Sequence, residues 1–206
     1  MDASAAGPIR SVPRRRLQPP ASPKAGKYLG FVRQLQDSQS DRTRCLSLRA
    51  FQGDVFVCIR DSNPEKVCET VIDEFGRRLF SKGLNLTQAQ WYKLTTPLMR
   101  EWVERGILCC RDDTLEGFNS LDSPDESETV LTEDGERCLL IEKNKWVTIK
   151  KFSETVYVTL REFYFSDYLG KVVPGRGITL NLYEWNTLCE YIPEVNTELE
   201  IINQNW

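Results

Sequence analysis

Two short stretches place a cation and an aromatic ring two residues apart in strand-like surroundings: Arg49 with Phe51, and Lys150 with Phe152. On a strand, residues two apart share a face, so each pair sets a positive charge beside a ring. A single strand of nucleic acid requires this chemistry, because the cation neutralises phosphate and the ring stacks a base. The same residues also suit a solvated face over two core phenylalanines, and the pattern alone leaves both readings open. Other chemistry has little to work with. The chain has no histidine, which removes the usual general base and the Ser-His and Cys-His nucleophile arrangements. Its 7 cysteines are scattered without a CxxC. They read as free thiols of a reducing compartment, with no metal or other cofactor expected. No convergent carboxylate motif stands out either, so an enzyme is not expected.

The two pairs belong to a longer repetition. The chain reads Lys82-Gly83-Leu84-Asn85-Leu86-Thr87, then Trp91 and Leu94; later it reads Arg176-Gly177-Ile178-Thr179-Leu180-Asn181, then Trp185 and Leu188. One constant spacing carries Arg42, Arg44, Arg49, Phe51 and Arg60 onto Lys143, Lys145, Lys150, Phe152 and Arg161. A second, shorter spacing carries Lys82 and Trp91 onto Arg176 and Trp185. The apolar matches, with Trp91, Leu94, Trp185 and Leu188 as core and pairing residues, follow from a shared fold. The basic matches ask for another reason, since surface charges are nearly free to vary. Alternation places Arg44 and Ser47 on opposite faces of their strand and Arg49 and Phe51 on one.

The elements that must position these residues follow from the pattern. At 206 residues with a net charge of −3, the chain holds one ordinary domain or two small ones. No apolar run approaches the ~20 residues of a membrane span. Residues 1–26, with Arg10, Arg14, Arg15, Arg16 and Lys24, read as a disordered basic tail, either simply solvated or serving nuclear import or loose phosphate contact. A first unit, residues 27–110, opens with strands over 28–32, 44–51 and 55–60, with Gln52-Gly53-Asp54 as a hairpin turn. An insertion at 61–78 follows, in which Val71, Ile72 and Phe75 are expected to form a short helix. Thr87 and Gln90 fit a capping box, and Pro97 either kinks the helix or, with Thr96 as its cap, opens a second helix expected to stop at Gly106. Residues 111–137 are an acidic linker, expected to be mostly disordered. The second unit, 138–206, repeats the strand pattern over 145–152 and 156–164, with a capping box at Asn181 and Glu184. Pro193 either ends the last helix or starts a short extension.

At the level of these motifs the chain resembles the C-terminal domain of the positive cofactor four family of transcriptional coactivators. The resemblance rests on Trp146-Val147-Thr148-Ile149-Lys150-Lys151-Phe152, on Val156-Tyr157-Val158-Thr159-Leu160-Arg161-Glu162-Phe163-Tyr164, and on Pro174-Gly175-Arg176-Gly177-Ile178-Thr179-Leu180-Asn181 with Trp185. It covers roughly residues 139–192 and, more loosely, 42–95. It implies an α+β fold: two units, each a curved four-stranded antiparallel sheet followed by a helix, paired as an intrachain pseudo-dimer through the helices. It also implies a nuclear, non-enzymatic protein that binds single-stranded or melted DNA without sequence preference and modulates transcription. RNA polymerase II transcription factors become possible partners, further self-association stays open, and no membrane is involved. The implied binding residues are Lys143, Lys145, Lys150, Phe152, Arg161, Tyr164 and Arg176 in the second unit. In the first they are Arg42, Arg44, Arg49, Phe51, Arg60 and Lys82. The first-unit counterpart of Tyr164 is Asn63, so that ring is lost there unless Phe75 or Phe80 supplies it. The alternative is a protein-interaction module that keeps the fold for pairing.

Overall fold

Strict alternation of apolar and polar residues gives each sheet one core face and one open face. The computed structural model describes residues 27–35, 44–61, 71–72, 78–79, 83–112, 129–131, 137–168 and 170–205. In chain order the elements of the first half are β1 (Lys27–Gln34), β2 (Arg44–Phe51), β3 (Asp54–Asp61), β4 (Val71–Ile72), β5 (Arg78–Leu79), β6 (Gly83–Thr87), α1 (Gln88–Leu94) and α2 (Pro97–Arg111). The second half has β7 (Thr129–Leu131), β8 (Arg137–Glu142), β9 (Lys145–Phe152), β10 (Thr155–Ser166), β11 (Lys171–Asn181), α3 (Leu182–Glu190) and α4 (Ile192–Gln204). The first sheet runs β1-β2-β3-β6 and the second β11-β10-β9-β8-β7, all antiparallel. Thus the α+β architecture of two antiparallel sheets, each followed by helices, is present.

Leu46, Leu48, Val57, Ile59, Leu84 and Leu86 form the core face of the first sheet, and Val147, Ile149, Val158, Leu160, Ile178 and Leu180 that of the second. They join one apolar cluster with Trp91, Leu94, Trp185 and Leu188. Each such aliphatic side chain removed from water contributes about 1.5–3 kcal/mol. The second helix of each half reaches across to the other. α2, which follows the first sheet, packs on β9 and β10 of the second. In return α4 reaches the first half: Trp91 Nε1 donates to Asn196 Oδ1 (2.8 Å), and Gln88 Nε2 to Asn203 Oδ1 (3.0 Å). Arg33 Nε donates to Glu194 Oε2 (2.9 Å) across the same boundary.

Both capping boxes form. Thr87 Oγ1 accepts from Gln90 N and Gln90 Oε1 from Thr87 N; Asn181 and Glu184 do the same for α3. The repeated glycines have a steric role. A Cβ on Gly83 would lie 2.4 Å from Ile59 O, and one on Gly177 2.6 Å from Leu160 O. Each faces an arginine of the neighbouring strand, Arg60 or Arg161.

Three local expectations need correction, and two others are extended. Val71 and Ile72 form a strand paired with β5, not a helix. The β2–β3 turn uses Gln52 and Gly53, both at positive φ, while Asp54 already pairs with Phe51. α2 passes through Gly106, which is buried, and continues to Arg111, because packing on the second sheet outweighs the roughly 1 kcal/mol glycine penalty. Within the acidic stretch, residues 129–131 add an edge strand, and beyond Pro193 the last helix runs on to Gln204. The proline sits in the first turn of α4, where its missing N–H costs nothing. Residues 1–26, Phe75 and most of the linker lie outside the described residues.

Candidate nucleic-acid interface

The open face of the second sheet is built by period two. On β9 it carries Trp146, Thr148, Lys150 and Phe152; on β10, Tyr157, Thr159 and Arg161. Lys150 stands directly opposite Tyr157, and Arg161 opposite Trp146. Phe152, at the hairpin tip, is 75% exposed, so it is no core phenylalanine. Lys143 is exposed in the β8–β9 turn, at φ 56. Thr159 and Thr179 share a hydroxyl hydrogen bond (3.1 Å) at the floor of this face. The Trp146 and Phe163 rings meet edge to face, with centroids 6.5 Å apart. This second sheet therefore brings Lys150, Phe152 and Arg161 together, with Tyr157 as a ring the sequence reading missed. The signal was available, since Tyr157 alternates with Thr155 and Thr159 on that face.

The first sheet repeats the arrangement with differences. Arg49 and Phe51 share the open face with Phe56 and Arg60, and Arg49 stands opposite Phe56. Phe51 is half-buried here. Arg60 Nη2 donates to Asn85 Oδ1 (2.6 Å), which ties this guanidinium along its own sheet. Cys58 lies buried between the arginines. Burial pushes its thiol up, and the charges of Arg60 and Arg49 oppose that shift.

Two expected contacts are spent inside the fold. Arg44 shares its face with Leu46 and Leu48, not with Arg49, and is buried. Its Nε donates to Asp61 Oδ1 (2.8 Å), and its Nη1 donates to Glu184 Oε2 and Thr179 O of the second half. Lys145 likewise lies on the side of Val147 and pairs with Glu162 (3.5 Å). The reason is the strand period: an odd number of steps separates Arg44 from Arg49, and Lys145 from Lys150. Tyr164 is exposed, but alternation sets it on the side of Glu162, with its ring near the Cα of Gly175. It does not join the Lys150–Phe152–Arg161 face. Arg176 is exposed where β11 spends three steps against two on β10, a bulge between Gly177 and Pro174. Arg42, Asn63, Phe80 and Lys82 fall outside the described residues.

Residues 140–191, from β8 to the end of α3, match the family model described as Transcriptional Coactivator p15 (PC4). A Drosophila melanogaster RNA polymerase II transcriptional coactivator is 34% identical over 80 residues, which cover 38% of this chain and 71% of that protein. The chain belongs to this coactivator family. The Arabidopsis thaliana RNA polymerase II transcriptional coactivator KIWI is 35% identical over 60 residues, 29% of this chain. The matched part spans about half of that relative, 54%. Among solved structures, a MoSub1–DNA complex matches at 26% identity over 34% of this chain and 90% of its own, with a TM-score of 0.31. The family match covers the sheet that carries Lys150, Phe152 and Arg161. Among the described residues no group of acidic, cysteine or histidine side chains is placed to hold a metal ion.

Proposed function

We propose that the chain is a non-enzymatic, transcription-modulating protein of the nucleus that binds single-stranded or melted DNA without sequence preference. The observation that carries the reading is the open face of the second sheet. There Lys150 and Arg161 alternate with Tyr157 and the exposed ring of Phe152, and the match to the coactivator family model, residues 140–191, runs through this sheet. The cations would track phosphate while the rings stack bases, which gives salt-dependent, sequence-tolerant binding. In this reading residues 27–110 and 138–206 are two copies of the family domain, joined by the acidic stretch 111–137 into an intrachain pseudo-dimer. Matched capping boxes, matched glycines Gly83 and Gly177, and matched pairs Arg44–Asp61 and Lys145–Glu162 support it. The second copy is the stronger binder, because Arg60 of the first is held by Asn85. Lys143 and Arg176 contribute phosphate contacts at the margins.

The confinement of Arg44 and Lys145 to ion pairs inside the fold favours a second reading, a protein-interaction module that contacts RNA polymerase II transcription factors. One titration separates them. Oligothymidine and a duplex are compared at several salt concentrations with wild type, Phe152→Ala, Lys150→Ala and Lys145→Ala. Preferential single-strand binding is expected, weakened by roughly 1–3 kcal/mol in Phe152→Ala. Lys150→Ala should lower the salt slope by about 0.7, while Lys145→Ala leaves that slope nearly unchanged. No single-strand binding at low salt leaves the interaction module.

A further inference from the structure

The β10–β11 hairpin does not stop at the sheet. Beyond the bulge it continues as a two-stranded ribbon, with Phe163 opposite Pro174, Phe165 opposite Val172 and Ser166 opposite Lys171. Its tip carries Tyr168, 95% exposed, next to exposed Phe165 and Val172. Two solvent-facing rings and a valine on so short a ribbon form an apolar patch of the kind that marks a binding surface. Alternation extends the open face without a break, from Tyr157 through Thr159, Arg161 and Phe163 to Phe165. The extra residue of the bulge lies on β11, so the phase of β10 is kept. The ribbon's root is fixed, since Phe163 N donates to Asn144 O (2.8 Å) and the Phe163 ring abuts Trp146. Charge on the ribbon favours an anion. Lys171 and Arg176 are exposed and face Asp167 as the one acid between residues 163 and 177.

We propose that this ribbon is a second stacking platform for the same nucleic-acid strand, with Phe165 and Tyr168 taking bases and Lys171 a phosphate. The inference rests on the single-strand reading above and adds length to it. Phe152 and Phe165 lie far apart along the hairpin, roughly 30 Å at the usual strand rise. A short oligonucleotide bound at Phe152 and Lys150 therefore cannot reach Tyr168, whereas a longer one can.

The full chain is titrated with oligothymidines of about 4 and about 20 nucleotides, lengths that bracket common single-strand site sizes, the shorter of which falls short of the ribbon. The variants are wild type, Phe152→Ala, the double change Phe165→Ala with Tyr168→Ala, and the conservative pair Phe165→Tyr with Tyr168→Phe. The double alanine variant should lose roughly tenfold or more for the long strand, by the usual worth of stacked rings, and little for the short one. The conservative pair should keep wild-type affinity, and both should melt like wild type, because the substituted rings are exposed. Phe152→Ala should weaken both lengths. Unchanged long-strand affinity in the double alanine variant, with Phe152→Ala still impaired, overturns the ribbon platform and leaves the single-strand reading standing. Absence of binding to either strand by wild type overturns both.

Discussion

Replacing Arg44 by methionine gives the most direct test of how the two halves are held. The guanidinium and the Glu184 carboxylate are both buried, with side chains 8% and 2% exposed. Methionine keeps the bulk of the stem but removes the charge facing Glu184, whose carboxylate still accepts from Asn181 N. Breaking a buried pair by removing one member costs about 3–5 kcal/mol. Against a whole-domain stability of roughly 5–15 kcal/mol, that loss is large. Glu184→Gln in the same chain removes the orphaned charge, and glutamine still serves the capping box at the third helical position. The double variant should therefore recover most of the loss. Acidity should help as well. Burial holds the Glu184 carboxyl above the ordinary carboxylate range, and the Arg44 charge opposes that shift. A carboxyl whose folded value is raised takes up its proton more readily in the folded chain than in the unfolded one. Its contribution to stability is full below the ordinary value and is lost as pH rises through the folded one. Without Arg44 the folded value rises further, so the deficit of Arg44→Met is greatest at neutral pH and shrinks on acidification. Urea unfolding followed by circular dichroism at about pH 7 and about pH 5 measures this, through midpoints and slopes. A deficit below about 1 kcal/mol, or one that neither acid nor Glu184→Gln reduces, would refute the argument.

Two further outcomes follow from packing and burial. Gly177→Ala places a Cβ 2.6 Å from Leu160 O and 3.0 Å from Arg161 Cα. Overpacking against backbone should cost about 1–3 kcal/mol. Gly175→Ala meets the Tyr164 ring at 3.2 Å and Glu162 O at 3.3 Å, so it should melt above Gly177→Ala; the reverse order in thermal melts contradicts the geometry. The Cys189 thiol, half-buried, is pushed up to about 11 by burial, and Arg100 only partly offsets this. At pH 8 it should alkylate on the order of a hundredfold more slowly than an ordinary cysteine of pKa ~8.5. Peptide mass mapping of a haloacetamide time course reads this, and fast labelling at Cys189 would refute it.

The strands that carry the candidate face were legible because period two is a strong signal. β2 and β9 begin and end where alternation places them. Both capping boxes were equally plain from Thr87 with Gln90 and Asn181 with Glu184. The same alternation already separated Arg44 from Arg49, yet the repeated basic positions were pooled as one surface. What the sequence could not show was that Asp61 and Glu184 would converge on Arg44, because that meeting joins residues of opposite halves. Gly106 misled for a related reason: local propensity favoured a stop, and a sheet far along the chain supplied the packing that kept α2 going. The Val71–Ile72 strand is too short for periodicity to tell it from a helix turn. Thr129–Leu131 hid because its acidic neighbours dominate the composition. The ribbon rings Phe165 and Tyr168 went unmarked since no counterpart in the first half drew attention to them.

The reach of each second helix across to the other half has a consequence for symmetry. A symmetric pair of identical subunits looks the same to a strand entering from either end. Here the two sheets share one core but differ where a ligand would lie: Asn85 grips Arg60 on one side, whereas on the other the Thr179 hydroxyl turns to Thr159. With both sheets in one covalent chain, that inequality cannot be averaged by subunit exchange or dilution. The two sheets thus stay unlike one another, in a fixed covalent relation, at any protein concentration.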